Sequence, residues 1–403
     1  MSRELARRIA FTIGALLLFR LGAQIPIPGL DLPDVSPTRD LVSRLSIFAL
    51  GLIPYLTAAI FVRLLAVVWR GLNSLERSGE GGRRKIARAT LGLTLALAAF
   101  QAHGIASALT SIPGLVKNPD GWFVTTATAS MVGGVFVLVW LGEQMTRYGI
   151  GNGLALILSA GFIVAIPENI AGVADLVRRG VISGNLVLGH VVFWIVSVVV
   201  IVLVEGARRN IRVQFAACSV GTRQLPERDA MLPIKLNSAG FLIPVTVAPR
   251  IFYLPLAFAG FILGGDHPLV AAAYRNLQLG QPAHVILVSI AVFVLALVYT
   301  AYVVDPEHTA RSLADRGGTV PGVAPGEATA DYLDRVVSLT TVVGAVYLTA
   351  LQLIPEVFEL YGIGLPYSMV VNGGAALVVV CTALDIKAQV RDVSLTKPGG
   401  VRR

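Results

Sequence analysis

Ten apolar runs succeed one another along the chain, at about Arg8–Ile27, Ser46–Trp69, Ala89–Ser111, Thr125–Met145, Gly153–Val173, Leu186–Val204, Leu236–Leu263, Ala283–Val303, Val336–Ile354 and Leu365–Leu384. Each is close to the ~20 residues that carry a helix across a bilayer. Short polar gaps separate them, so the pattern predicts an all-α polytopic membrane protein with about ten transmembrane helices. Two runs are interrupted: Ser46–Trp69 holds Gly51, Pro54, Thr57 and Arg63, and Leu236–Leu263 holds Pro244, Thr246, Pro249 and Arg250. Proline removes a backbone donor, and a charge at mid-depth costs roughly 2.5–3.5 kcal/mol on insertion scales. Such helices are expected to face other helices or a water-filled cavity. They hold corresponding places in two halves, residues 1–173 and 174–385 with a tail at 386–403, and paired interrupted helices point to a central pathway.

Charge changes the picture from spans to topology. Of the 33 Lys and Arg residues, 24 fall in the termini and in one set of alternating gaps, six in the opposite gaps, and Arg20, Arg63 and Arg250 inside runs. By the positive-inside rule both termini are cytoplasmic. That asymmetry accounts for the net charge of +9 without a nucleic-acid partner. A composition of 55% hydrophobic and 14% charged residues excludes an ordinary soluble enzyme, in which about 25% are charged. Cys218 and Cys381 have no metal or redox spacing, and no catalytic set of Ser, His and Asp or of paired carboxylates is legible. The first run reads as a retained span, since no cleavage pattern follows it.

Several connecting stretches have chemistry of their own. Gln24–Leu30 is a proline-stiffened strap, and Leu75–Ile86 a glycine-hinged basic loop with Arg83, Arg84 and Lys85 that lacks the phosphate-cradling pattern. In Trp140–Gly153, Gly149, Gly151 and Gly153 permit a tight reversal, and Glu143 and Arg147 sit at the spacing of a helical ion pair. Loop 205–231 carries Arg208, Arg209 and Arg212. Residues 305–335 enclose a turn-rich core with Pro321, Gly322, Pro325, Gly326 and Glu327 that can present backbone groups to a partner.

IPIPGLD, SIFALGLIPYLTAA, GEGGRRKI, WLGEQMTRYGIGNG, LPIKLNSAG and DPEHTARSLADRGGTVPGVAPGEATADYLDR, in this order and spacing, resemble the SecY/Sec61-alpha family of protein-conducting channels over most of the chain. The resemblance implies two pseudo-symmetric five-helix halves around a central pore, in a multi-pass protein of a bacterial plasma (inner) membrane. It implies no enzyme activity, cofactor or metal. An apolar pore ring would fall on Leu52, Leu56, Leu158, Thr246 and Val378 or Val379. The lateral gate would involve Thr57, Arg63 and Arg250. Arg83, Arg84, Lys85, Arg208, Arg209, Arg212, Pro321, Gly322, Pro325, Gly326 and Glu327 would dock a SecA-type motor ATPase or a ribosome. SecE-like and SecG-like small membrane subunits, membrane lipids and an unfolded polypeptide substrate complete the implied partners. A narrow ring of branched apolar side chains excludes ions by dewetting yet deforms around a passing chain.

Departures from the family pattern are specific. Residues 30–45 are short for the plug helix, Ala324 stands where an arginine is usual, 216–220 is not basic, and Arg63 replaces a glutamine. They leave two alternatives: a specialised paralogue with altered motor docking, and, from composition and interrupted spans alone, a small-solute secondary transporter.

Overall fold

The computed structural model describes residues 3–30, 45–77, 79–215, 218–220, 223–225, 228–240, 248–265, 267–278, 280–360 and 373–395. In order its helices are α1 (Arg3–Gly22), α2 (Ile53–Val68), α3 (Arg70–Arg77), α4 (Glu80–Thr110), α5 (Gly121–Tyr148), α6 (Gly153–Arg178), α7 (Gly184–Gly206), α8 (Arg250–Leu263), α9 (Pro268–Asn276), α10 (Pro282–Val303), α11 (Pro306–Asp315), α12 (Glu327–Leu360) and α13 (Gly373–Leu395). Among the described residues, α4, α5, α6, α7, α10, α12 and α13 are long and apolar enough to span a membrane, and α2 and α8 are shorter apolar helices. The chain sorts into two compact units, Met1–Ile166 with Cys381–Arg403, and Pro167–Val380.

Small residues set the packing inside the first unit. On α4 the buried positions Thr90, Thr94, Ala98, Ala102 and Ala106 recur every four residues, a stripe that lets α5 and α2 approach its backbone. Asp120 caps α5 by accepting from the Phe123 amide at 2.9 Å. In the second unit the buried face of α10 runs through His284, Val288, Ala291, Leu295 and Tyr299, and α12 lies against it. Hydrophobicity does not choose these faces, because lipid solvates leucine as well as a neighbouring helix does.

Three stretches differ from the sequence reading. Pro54 does not kink a span: α2 begins at Ile53, so the proline occupies the first turn, where no amide partner is lost, and the preceding residues turn through Gly51 at φ +56°. The basic stretch at Arg83, Arg84 and Lys85 is helix rather than loop, because α4 starts at Glu80 directly after Gly79 at φ +85°. Between α7 and α8 the chain folds as a hairpin, β1 (Arg208–Phe215) antiparallel to β4 (Arg228–Lys235), with β2 (Cys218–Val220) and β3 (Arg223–Leu225) paired at its far end. β5 (Gly318–Thr319) extends that sheet along β1, so a mostly helical protein carries a three-stranded sheet in order β4-β1-β5.

Candidate functional site

The proline-stiffened strap is built into the first unit through backbone pairing. Ile27 is buried, its amide donates to the Leu45 carbonyl at 3.1 Å, and the Ile47 amide donates to Ile25 at 3.0 Å. These bonds hold the turn that leads into α2. On the other side, a Cβ on Gly134 of α5 would collide with the Ile47 carbonyl, so only glycine lets α5 press on that turn. Leu52 at the helix entrance, Leu56 one turn on, and Thr57 are all buried, and the Leu56 amide donates to the Leu52 carbonyl at 3.0 Å. The Thr57 hydroxyl has no hydrogen-bond partner among the described residues.

Leu158 lies half-buried on α6 beside Ser159, whose hydroxyl donates to Thr382 Oγ1 of α13 at 2.8 Å. Val378 is fully buried and Val379 half-buried, also on α13. Leu52, Leu56 and Leu158 belong to the first unit, Val378 and Val379 to the second, and Thr246 lies outside the described residues, as does most of the short segment at 30–45. None of the described ring positions is fully exposed. Arg250 opens α8 directly after Pro249 and is half-buried.

The glycine-rich reversal is a corner that four helices share. Gly151 takes φ +81° and its amide donates to Gln389 Oε1 of α13 at 2.8 Å. The Ile150 amide donates to Thr12 Oγ1 of α1 at 3.0 Å, and the Gly153 amide to Thr146 Oγ1 of α5 at 2.8 Å. Asn152 caps α6 by accepting from the Leu154 and Ala155 amides. Glu143 and Arg147 do not pair as their spacing suggested. Arg147 lies over the Tyr148 ring, 5.4 Å from its centroid, while Glu143 lines a cavity of about 230 Å³ together with Arg63 of α2 and Arg83 of α4. Arg84 turns the other way and meets Glu80 at 3.6 Å.

The second unit joins two stretches that read as separate loops. Ile211 of β1, Ala310 of α11, Val320, and Leu333 and Val336 of α12 form one small apolar core, with Leu232 and Ile234 of β4 packed against it. Above it the hairpin presents Arg208, Arg209 and Arg212, all exposed. Arg212 donates to Asp229 across the strands at 2.6 Å, and this hydrogen bond, with the carboxylate charge, raises the guanidinium pKa further above its usual value. Pro321, Gly322, Pro325 and Glu327 are exposed and Gly326 is half-buried. Gly322 and Gly326 take φ +81° and +97°, and the Thr329 hydroxyl donates back to the Ala324 carbonyl at 2.8 Å, closing the turn onto α12. Sequence reasoning missed the shared core because its residues are scattered over 125 positions; the strand-like alternation Ile211, Val213, Phe215 was the available signal.

It also missed a buried polar pair. His284 Nδ1 on α10 lies 3.0 Å from Glu356 Oε2 on α12, with both side chains about 2% exposed or less, and Gln352 Nε2 donates to the other carboxylate oxygen at 3.0 Å. Tyr253 of α8 places its ring 5.7 Å from the imidazole and donates its hydroxyl to the Leu277 carbonyl at 2.6 Å. Titratable residues within or beside two apolar runs were the visible sign.

Comparison with known proteins bears on this arrangement directly. The SecY family model matches residues 46–387. Protein translocase subunit SecY of Escherichia coli K12 is 38% identical over 98% of this chain and 92% of its own length. The Vibrio cholerae subunit is 36% identical over 96% and 91%, and that of Rickettsia typhi 34% over 97% and 94%. In fold, the chain matches a solved SecY translocation channel at TM-score 0.71, with 18% identity over 97% of this chain and 93% of that one. Sec61 from a canine ribosome–channel complex of the endoplasmic reticulum matches at 0.67, with 20% identity over 97% and 93%. With the family model covering residues 46–387 and relatives 34–38% identical over nearly its whole length, the chain belongs to the SecY family.

Proposed function

We propose that this chain is the central channel subunit of a Sec-type protein translocase, passing unfolded polypeptide across the membrane and releasing apolar segments sideways into lipid. The observation that carries the reading is the family match across residues 46–387, which takes in both proline- and arginine-bearing apolar runs and the stretches 205–231 and 305–335. Leu52 and Leu56, buried next to the turn on which Gly134 packs, suit a constriction that must be dry at rest and pliable in use. Leu158, Thr246 and Val378 or Val379 complete the ring, and Thr57, Arg63 and Arg250 line the lateral exit. The halves divide in sequence near residue 173.

The platform of β1, β4, β5 and the Pro321–Glu327 turn is the docking face for a SecA-type motor or a ribosome, helped by Arg83, Arg84 and Lys85 at the start of α4. Relatives of this fold have been solved in ribosome complexes. SecE-like and SecG-like subunits accompany the channel in a bacterial plasma membrane, with both termini and the platform in the cytoplasm. A small-solute transporter has no observation in its favour once the family is in hand, and a specialised paralogue has none beyond Ala324 and the uncharged 216–220 stretch. Reconstitution in proteoliposomes with the motor ATPase tests the reading. ATP-dependent protection of a secretory precursor from protease is the expected result; solute flux without protection contradicts it.

A further inference from the structure

The cavity beside α2 holds an arrangement of charge of its own. Its wall combines Arg63 of α2, Arg83 of α4 and Glu143 of α5 with the apolar surfaces of Val62, Ile86 and Leu91. Five residues separate Arg63 from the end of α2 and Glu143 from the end of α5, and Arg83 is the fourth residue of α4. At 1.5 Å per residue each charge therefore lies within about 8 Å of its helix end, the C-terminal end of α2 and of α5 and the N-terminal end of α4, which runs antiparallel to both. That is the end that the charge asymmetry assigns to the cytoplasm. Glu143 makes no ion pair with Arg147, which lies against Tyr148, and Glu80 is taken by Arg84. Thr90 lines the same space, and its hydroxyl donates to its own helix at Ile86, which leaves the oxygen able to accept.

We propose that this cavity binds the head group of an aminophospholipid from the adjoining leaflet, with the phosphate between Arg63 and Arg83, the ammonium at Glu143 and Thr90, and the acyl chains leaving along Ile86 and Leu91. Two guanidinium groups alone would favour any anionic lipid. The carboxylate in the same wall changes the preference, because a head group without an ammonium leaves Glu143 facing the phosphate. The assignment is independent of whether the pore conducts protein.

The test is native mass spectrometry of the full chain titrated with phosphatidylethanolamine, phosphatidylglycerol, soluble phosphoethanolamine and inorganic phosphate. Phosphatidylethanolamine should be retained in preference to phosphatidylglycerol, and Arg83→Gln or Arg63→Gln should weaken it by about tenfold or more, as loss of a charged hydrogen bond does. Glu143→Gln should reverse the order, retaining phosphatidylglycerol and losing the preference for ethanolamine. Because the last variant redirects binding rather than abolishing it, a folding defect cannot mimic it. Equal retention of both lipids by the unaltered chain, or retention unchanged by all three substitutions, overturns the proposal. Occupancy by inorganic phosphate or soluble phosphoethanolamine at the same concentrations overturns the lipid assignment in favour of a free-anion site.

Discussion

Helices α7 and α10 belong to the same unit and are both apolar along their whole length, yet they are buried very differently. Among the described residues α7 buries only Ile201, while α10 buries nine side chains in a stripe from His284 to Thr300. The difference lies in what is not large and aliphatic. The buried stripe of α10 includes a histidine, two alanines, a tyrosine and a threonine, whereas Leu188, Val191, Ile195, Val199 and Leu203 of α7 are exposed. In a bilayer branched apolar side chains are satisfied by lipid, and it is small or polar residues that gain from a neighbouring helix.

Substitutions can break that comparison, beginning with the largest effect. His284→Leu with Glu356 retained leaves a buried carboxylate without its partner and should destabilise by about 3–5 kcal/mol, with His284→Leu/Glu356→Leu recovering much of the loss. Thermal unfolding of the detergent-purified chain reads both. Leu333→Ala removes the centre of the small core beneath the sheet platform. A cost of about 2–5 kcal/mol is expected there, read as faster proteolysis within the β1–β4 hairpin. A matched pair of glycines sharpens the contrast. Gly153→Ala would drive a Cβ into the Gly142 carbonyl and should cost about 1–3 kcal/mol. Gly189→Ala on α7 meets nothing within 4 Å and should instead raise stability by roughly 0.5–1 kcal/mol. Smallest of all, Val199→Ala on the exposed face of α7 should stay within about 0.5 kcal/mol; a shift as large as that of Leu333→Ala would show that α7 is packed against protein.

Much of this was legible in the chain. Seven of the ten apolar runs coincide with described helices long and apolar enough to span, and Pro54, Thr57 and Arg63 singled out α2 because each is costly against lipid. The motif residues Gly151, Asn152 and Gly153 announced a reversal, since a positive φ and a close backbone approach both demand glycine. What stayed hidden depended on distance in the sequence. Nothing local to Ile211 or Leu333 says that they share a core, and nothing local to Glu143 says that it turns from Arg147 toward Arg63 and Arg83. The basic residues after Gly79 looked like a loop because glycine disfavours helix; two glycines cost about 1 kcal/mol each, and the 31-residue helix that follows, packed on α2 and α5, outweighs them.

Photo-crosslinking from single sites to a translocating chain stalled partway tests the central claim most directly. Probes at Leu56 and Leu158 should both trap the stalled polypeptide, and a probe at Val199 on α7 should trap none. Crosslinks from Val199 with none from Leu56 or Leu158 would contradict an apolar constriction built on α2 and α6.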